Sequence, residues 1–370
     1  MTESYVFPQK IVICKDAMEF PLTARILRNT PEVAHEVIDD PQDLIEDVRL
    51  SRQPVELGKR YLLLTKQKGS FVKPCPCTPH YLGCNYFIIN LETNCPLDCS
   101  YCILQDYLTN PLLTVHVNLE DLWRELDAFI SKRDRAFRIG TGELGDSLAL
   151  DHITENSADL ISYFRGKNSA IFELKTKTVN IDNVLNQQPA PNIIISWSLN
   201  TRKLAQDQEV GAPAVEERIL AAKKVTLKGF RVGFHFDPLI RYPGWEADYE
   251  DVVDLLLESV NSEQIAWISL GSLRFPPDFV SIINRRFPAS KIFHDEFVRG
   301  LDGKYRYFKS LRVELYHKMV DYIRDRAGAD VPLYFCMESR DVWREVLKKM
   351  PRNKEEIERS LTYPAADLKE

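Results

Sequence analysis

The chain has 370 residues, 44% of them hydrophobic and 28% charged, so it can bury a core and is neither fibrous nor broadly disordered. No stretch approaches the roughly 18 to 20 uninterrupted apolar residues of a membrane helix, and the start lacks the basic-then-apolar layout of a secretory signal, so we expect a cytoplasmic protein without a membrane partner. The net charge of -6 excludes a nucleic-acid partner held by global positive charge and leaves only a local basic patch.

Residues 1–83 are predicted to form a small N-terminal α/β domain. A β-like run from Lys10 to Cys14 is followed by helical patterning, and a second apolar run extends from Tyr61 to Thr65. No catalytic residue stands out before Cys75.

From Phe87 onward, short β-branched and aromatic runs alternate with longer amphipathic segments. Strands are predicted at Phe87–Glu92, Ala136–Gly140, Ile171–Lys175, Ile193–Leu199, Arg231–Phe236, Trp267–Leu270 and Leu333–Cys336. Amphipathic helices are predicted around residues 119–130, 252–260, 311–323 and 342–350.

This alternation favours an α/β fold with a parallel sheet and right-handed crossovers. We expect a partial (β/α)6-type, TIM-like barrel over residues 84–340, followed by a C-terminal helix and polar tail over residues 341–370. An open doubly wound sheet is the alternative, because alternation alone does not distinguish it from a barrel. In both folds, ligands bind at the carboxyl ends of the strands.

The cysteines are unevenly distributed along the chain. Six of the eight lie within the 28 residues from Cys75 to Cys102. Because the cytosol keeps thiols reduced, this density indicates metal ligands or catalytic groups rather than disulfides.

Cys95, Cys99 and Cys102 form a C-x3-C-x2-C triplet directly after the first predicted strand of the barrel. Three cysteines can ligate three irons of a 4Fe-4S cluster and leave the fourth iron open for a substrate. The alternative is a zinc knot that uses these thiolates and one more residue, in a non-enzymatic zinc or iron-sulfur binding module. Zinc sites prefer paired C-x2-C spacings, so the triplet favours the cluster.

With this triplet, the chain resembles the radical S-adenosylmethionine superfamily and, more narrowly, the spore photoproduct lyase family over most of residues 5–325. Further motifs of the resemblance are Ala17–Thr23, Thr176-Lys177, Ser198–Asn200 and Gly233–Trp245. The resemblance implies a 4Fe-4S cluster and S-adenosyl-L-methionine as cofactors. It also implies a reductant such as flavodoxin or ferredoxin and a lyase reaction on a thymine lesion of DNA.

The resemblance assigns roles to individual residues. The three triplet cysteines would hold the cluster, and Tyr101 would lie close to it. Glu143, in the segment Gly140–Glu143, would accept the methionine ammonium, although this segment also suits an ordinary strand-to-loop turn. Lys177 and Ser198 would contact the cosubstrate through its carboxylate or ribose.

The chain also departs from the family. Lyases of this family return a hydrogen atom from a cysteine after the second strand, whereas Phe137–Asp151 contains no thiol. Ile103 replaces the second of two family tyrosines that flank the third cluster cysteine. Cys336, at the end of a late predicted strand, is the candidate substitute donor, and a buried apolar side chain is its alternative role. These departures leave open a radical enzyme that acts on a substrate other than DNA.

Other groups are candidates for binding. Cys75, Cys77 and Cys84, with His80 between them, are predicted either to bind a structural zinc or auxiliary cluster or to be unliganded thiols. His235 and Asp237 are possible pocket residues.

Segment 299–312 carries five basic side chains, one acidic side chain and three aromatic ones. It is predicted to contact phosphates and an extruded base of a DNA lesion, or else to be a solvated loop.

Overall fold

The structure is a computed structural model that describes residues 8–78 and 80–366. The strands are β1 (Lys10–Cys14), β2 (Ala34–Ile38), β3 (Tyr61–Thr65), β4 (Val72–Pro74), β5 (Phe87–Ile89), β6 (Glu92–Thr93), β7 (Asp98–Cys99), β8 (Leu113–His116), β9 (Phe137–Thr141), β10 (Ala170–Thr176), β11 (Ile193–Ser198), β12 (Glu209–Val210), β13 (Arg231–Leu239), β14 (Ile265–Ser272), β15 (Arg274–Phe275), β16 (Phe297–Arg299), β17 (Tyr305–Tyr307) and β18 (Leu333–Phe335).

Helices connect most of these strands. They are α1 (Pro21–Asn29), α2 (Gln42–Leu50), α3 (Pro54–Gly58), α4 (Leu104–Tyr107), α5 (Leu119–Ser131), α6 (Asp151–Thr154), α7 (Asn156–Phe164), α8 (Asp182–Leu185), α9 (Arg202–Gln208), α10 (Val215–Lys228), α11 (Trp245–Ser259), α12 (Phe279–Arg286), α13 (Lys309–Ala327), α14 (Arg340–Leu347) and α15 (Lys354–Ala366). None of these helices is long and apolar enough to cross a membrane, over the part of the chain that the structure describes.

The larger sheet has eight strands in the order β18-β14-β13-β11-β10-β9-β5-β4. Its strands from β5 to β18 pair in parallel and in chain order, and only the edge strand β4 runs antiparallel. A sheet whose strand order never reverses is wound in one direction, so it curls into a partial barrel. The predicted fold class is therefore confirmed, and the open doubly wound alternative is wrong for this sheet.

The barrel strands are buried on both faces because helices cover their outer side. Every residue of β11 and of β14 is buried, which matches their composition of β-branched and aromatic side chains. On α5, Leu122 and Leu126 are fully buried, one helical turn apart, as the predicted amphipathic pattern requires.

The smaller sheet has the order β2-β1-β3-β8-β6, in which the first four strands are parallel and β6 is antiparallel to β8. Strands β6 and β8 come from beyond residue 83, so the domain boundary there stays a prediction.

The single strand predicted at Phe87–Glu92 is wrong, because its residues divide between the two sheets. The backbone N–H of Asn90 donates to the Phe71 oxygen at 2.8 Å. The N–H of His116 donates to the Leu91 oxygen at 3.0 Å, on the side of the smaller sheet. The chain therefore leaves the barrel after β5 and joins the smaller sheet as β6.

The predicted polar tail also contains α15, and its last four residues, 367–370, lie outside the described residues.

Candidate active site

The three triplet cysteines lie on the loop between β6 and α4. Strand β7 within this loop pairs with β12, which fixes the loop against the chain that follows β11. The Asp98 carboxylate accepts from Lys59 Nζ at 2.6 Å and from Arg286 Nη2 at 2.7 Å. The ion pairs with Lys59 and Arg286 therefore also hold the loop in place.

These cysteines line a cavity of about 270 Å³ at the carboxyl edge of the barrel, which we call the main cavity. All six predicted cluster and cosubstrate residues are in its lining, namely Cys95, Cys99, Cys102, Glu143, Lys177 and Ser198. Tyr101 also lines it. Because the last three of the six follow or end β9, β10 and β11, the parallel register of the strands brings them together.

The positions of the three thiols fit an iron-sulfur cluster. Burial raises the pKa of Cys95 well above its ordinary value and that of Cys99 to about 12, so both thiols keep their protons unless a metal displaces them. A 4Fe-4S cluster distributes three cysteines over separate irons, which suits three thiols that line one cavity.

Glu143 follows β9 through a turn that requires glycine. Gly142 has a φ of +93°, and a Cβ there would lie 2.6 Å from the Lys175 backbone oxygen. The Glu143 carboxylate accepts a hydrogen bond from Lys175 Nζ. Although burial alone lowers the pKa of Lys175, the Glu143 charge holds it above its ordinary value. The turn therefore presents a carboxylate and an ammonium side by side, which suits an amino acid zwitterion.

Lys177 is fixed at both its backbone and its ammonium group. The Asp146 carboxylate accepts from the Lys177 backbone N–H at 2.7 Å and from Thr176 Oγ1 at 2.6 Å. Lys177 Nζ lies 3.9 Å from Glu209 Oε1. Ser198, the last residue of β11, is 9% exposed. Both polar groups are consequently held at the edge of the main cavity.

Tyr101 is joined to the same network through its phenol. Its hydroxyl donates to the Glu209 carboxylate, which pairs with Arg218 at 2.5 Å. Burial, reinforced by the Glu209 charge, raises the pKa of Tyr101 well above its ordinary value. Tyr101 therefore keeps its O–H hydrogen.

Cys336 follows β18 and lines a second cavity of about 100 Å³ inside the barrel, which we call the inner cavity. The two cavities share part of their lining, including Glu143 and Lys175. The Sγ of Cys336 lies 3.5 Å from Nη2 of Arg274. Burial, followed by the charge of Asp237, raises the pKa of Cys336 well above its ordinary value, so it stays a thiol.

The two possible pocket residues on β13 differ in their surroundings. Asp237 lines both cavities and receives two hydrogen bonds from Arg274, each of 3.0 Å. His235 lines only the inner cavity of the two, with Nε2 2.8 Å from Glu173 Oε1 and Nδ1 2.6 Å from Ser269 Oγ. Both ring nitrogens of His235 are therefore engaged inside the barrel.

The three cysteines ahead of the triplet are close neighbours, and the thiols of Cys75 and Cys77 are hydrogen-bonded to each other. Cys75 and Cys84 line the inner cavity, whereas Cys77 is exposed and packs its sulfur against Gly83. In the part of the chain that the structure describes, His80 and these cysteines do not converge as three ligands on one point. Binding of a zinc or an auxiliary cluster by these residues therefore stays a prediction, as does their alternative role as unliganded thiols.

Segment 299–312 forms the hairpin of β16 and β17 and the start of α13. Arg306 is buried against Asp302 at 2.6 Å, and Arg312 is buried against Glu338 at 3.0 Å. These two arginines are neutralised inside the protein and cannot contact phosphates. Lys304, by contrast, lines the main cavity, so the hairpin forms part of its wall.

Sequence reasoning did not identify four residues of this site, namely Asp146, Lys175, Glu209 and Arg274. Lys175 could have been predicted, because side chains two residues apart along a strand lie on the same side, and Lys175 is two residues before the predicted site residue Lys177. Glu209 and Arg274 carried none, since only the fold brings Arg274 to the main cavity and Glu209 to Tyr101 and Lys177.

A family model described as spore photoproduct lyase matches residues 6–327. The chain is 28% identical over 248 residues to the spore photoproduct lyase of Geobacillus sp. (strain Y412MC61), which covers 64% of this chain and 72% of that protein. It is 22% identical over 311 residues to the spore photoproduct lyase of Clostridium acetobutylicum, which covers 81% of this chain and 90% of that protein.

Solved structures of similar proteins share the fold. A spore photoproduct lyase complexed with dinucleoside spore photoproduct superposes with a TM-score of 0.77 at 22% identity, covering 90% of this chain and 99% of that one. A substituted spore photoproduct lyase with bound AdoMet and dinucleoside spore photoproduct gives the same TM-score, identity and coverage.

Proposed function

Because the chain belongs to the spore photoproduct lyase family of radical S-adenosylmethionine enzymes, we propose that it produces a 5'-deoxyadenosyl radical that acts on a thymine lesion of DNA. When bound, the 4Fe-4S cluster supplies the electron that cleaves S-adenosylmethionine to methionine and this radical. The observation that carries the proposal is that three thiols, a carboxylate, an ammonium and a hydroxyl from six positions share the main cavity.

The residues have distinct tasks in this proposal. Cys95, Cys99 and Cys102 hold the cluster. Glu143 accepts hydrogen bonds from the methionine ammonium, and Lys177 attracts the methionine carboxylate. Hydrogen bonds that involve ions are stronger than neutral ones and fix orientation, so this pair would set the position of the sulfonium.

The first test is cleavage of S-adenosylmethionine by anaerobically reconstituted, dithionite-reduced protein. We expect 5'-deoxyadenosine from the unchanged protein and none from Cys99→Ala. The matched control is Cys77→Ser, which alters an exposed thiol outside the main cavity and keeps the activity.

Metal analysis of the same samples separates the enzyme from a binding module. About four irons with acid-labile sulfide per chain support the cluster. Zinc without sulfide, or 5'-deoxyadenosine formation unaffected by Cys99→Ala, would contradict the proposal.

A thymine lesion is supported as substrate by the relatives' names and by the cavity wall. Solved relatives carry dinucleoside spore photoproduct. In this chain, Lys304 contributes a cation to the cavity, and Leu301 is 80% exposed near the tip of the same hairpin. Such a hairpin suits contact with a strand whose lesion is turned out of the duplex.

The substrate is tested with an oligonucleotide that carries spore photoproduct. Restored thymines are the expected product. An intact lesion beside continuing 5'-deoxyadenosine formation would retain the enzyme class but exclude this reaction, in favour of a substrate other than DNA.

We further propose that Cys336 returns the hydrogen atom to the repaired thymine. A donor of this kind must carry an S–H bond, and Cys336 is a buried thiol beside Arg274 in the inner cavity. The transfer leaves a sulfur-centred radical on Cys336, and one electron and one proton from the external reductant restore the thiol.

This role is tested by repair in D2O, where an exchangeable thiol carries deuterium. The unchanged protein is expected to place deuterium in the repaired thymine, and Cys336→Ala is expected to lose this label while 5'-deoxyadenosine still forms. Cys84→Ala, in the same cavity, is the matched control. Label that persists in Cys336→Ala would exclude this donor.

A further inference from the structure

A second large cavity, which we call the N-terminal cavity, lies at the carboxyl edge of the smaller sheet. Its volume is about 520 Å³, within the range of small-molecule sites. The chain passes from β1 to β2 on one side and from β3 to β8 on the other, so the strand order reverses between β1 and β3. In open α/β sheets, ligands bind outside the carboxyl ends of the strands at such a reversal. Cys14 and Thr65, which end β1 and β3, both line the cavity.

One part of the lining holds buried polar atoms without partners. These are Nε2 of Gln67, Oδ1 of Asn90 and Nδ1 of His116. Asn90 is only 7% exposed and His116 only 8%. Polar atoms this deeply buried are normally hydrogen-bonded, so unpaired ones at a cavity wall indicate a missing partner.

The chemistry of these three atoms restricts that partner. The amide nitrogen of Gln67 donates, and the amide oxygen of Asn90 accepts. Burial lowers the pKa of His116 to about 4, so its ring is neutral near pH 7 and Nδ1 supplies one donor or one acceptor. A flat heterocycle with donors and acceptors along one edge, such as a nucleobase, can satisfy all three.

Another part of the lining is charged, with three aspartates and the two lysines Lys66 and Lys68. Asp39 and Asp40 directly follow β2, and Asp16 follows β1. In doubly wound nucleotide-binding folds, a carboxylate in the region after β2 binds ribose hydroxyls. The turn from Lys15 to Phe20 contains no glycine, so it lacks the glycine-rich loop that cradles phosphates in those folds.

We propose that the N-terminal cavity binds a ribonucleoside, with its base against Gln67, Asn90 and His116 and its ribose hydroxyls toward Asp39 and Asp40. The unpaired atoms match the edge of a base and the aspartates match a diol, while the turn after β1 lacks the glycine-rich loop that would hold a diphosphate. This proposal does not rest on the chemistry of the main cavity.

The test measures binding of adenosine, guanosine, cytidine and uridine to the reconstituted full chain by equilibrium dialysis, without S-adenosylmethionine. At least one of these is expected to bind, and its 2'-deoxy counterpart is expected to bind about tenfold more weakly, since one lost hydrogen bond to a charged group is worth about that much.

Variants assign the binding to the cavity. Asp40→Asn, at the surface, and His116→Phe, which keeps a buried ring, are each expected to weaken binding at least about tenfold. Asp47→Asn, an exposed aspartate on α2 outside the lining, is the matched control and is expected to bind as the unchanged chain does. Lys177→Met, in the main cavity, is also expected to retain binding.

Three outcomes would overturn the proposal. One is that none of the four ribonucleosides binds at millimolar concentration. The second is that binding is lost in Lys177→Met but kept in Asp40→Asn and His116→Phe. The third is equal affinity for the ribo and 2'-deoxy forms. None of these measurements depends on turnover, so a failure here is distinguishable from a failure of the proposed lyase function.

Discussion

The two parallel sheets of this protein each carry a cavity at their carboxyl edge, yet they differ in how that cavity is encoded. In the barrel, the strand order follows the chain and the three cysteines that define the site, Cys95, Cys99 and Cys102, lie within eight residues of sequence. In the smaller sheet, the order reverses, and the lining is drawn from residues as distant as Cys14 and His116, without a motif. The cysteine motif therefore predicts the main cavity from sequence, whereas the N-terminal cavity can be recognised only from the strand order of the folded sheet.

The largest effect is expected when a buried charge that supports the main cavity is removed. Glu209 pairs with Arg218, and neither side chain is exposed. In Glu209→Gln, Arg218 keeps its charge without a counter-ion, so we expect the free energy of unfolding to fall by about 3 to 5 kcal/mol. Urea unfolding measures the change.

The control for this variant is an exposed ion pair of the same residue types. Glu216 pairs with Arg202, and both side chains are about half exposed, at 47% and 48%. Glu216→Gln is expected to cost about 0 to 1 kcal/mol. Equal costs for the two variants would contradict the view that the barrel site depends on buried charge pairs.

Most of the barrel strands were predicted well from the sequence because they coincide with short runs that are rich in apolar residues. Runs such as Ile193–Leu199 are buried from end to end, and the structure differs from the predicted bounds there by one residue. The cysteine triplet and Glu143, Lys177 and Ser198 lie next to such runs, so predicting a strand end also predicts a site residue. The pairing of Glu143 with Lys175 was not predictable, because it depends on the register of β9 and β10.

The smaller sheet was predicted only in part, for physical reasons. Strands β1 and β3 match the predicted runs at both ends because they are buried apolar segments. Strand β2 is an edge strand with no buried residue, so its sequence shows no apolar alternation. Strand β8 has only four residues, all buried, and each of them pairs with a residue of β3 that lies 51 positions earlier in the chain, as Leu113 does with Leu62.

The second prediction concerns the junction between the sheets. Glu92 in β6 is partly buried and accepts from Asn156 Nδ2 at 2.8 Å, and desolvation of its carboxyl raises its pKa to about 8. The folded chain then binds a proton at Glu92 that the unfolded chain, with the ordinary pKa of 4.5, releases. Stability from this group is complete below pH 4.5 and is lost as the pH rises through 8.

We therefore expect the unchanged protein to lose about 1 to 2 kcal/mol between pH 6 and pH 8 through Glu92, and Glu92→Gln to remove this loss. Urea unfolding at both pH values measures it. Glu120→Gln, an exposed glutamate in the first turn of α5, is the control and should keep the pH dependence. If Glu92→Gln kept the pH dependence of the free energy of unfolding, Glu92 would not be the group responsible for it.

The smallest expected change in stability, that of Ile13→Val, tests whether the two sheets unfold together or separately. Ile13 is fully buried in β1, and Ile13→Val should cost about 0.5 to 1.5 kcal/mol by leaving a small cavity. All five tryptophans follow residue 116, so tryptophan fluorescence reports on the barrel and its helices and not on the strands β1 to β3.

If the sheets unfold together, Ile13→Val lowers the urea midpoint seen by tryptophan fluorescence as much as the midpoint seen by far-ultraviolet circular dichroism. We expect this result, because the chain enters the smaller sheet again at β6 and β8 after it has begun the barrel at β5. Ile195→Val, an equal change in the barrel strand β11, is the matched control and should shift both signals. A fluorescence midpoint that does not respond to Ile13→Val would mean that the smaller sheet, with β6 and β8 included, unfolds as a unit separate from the barrel.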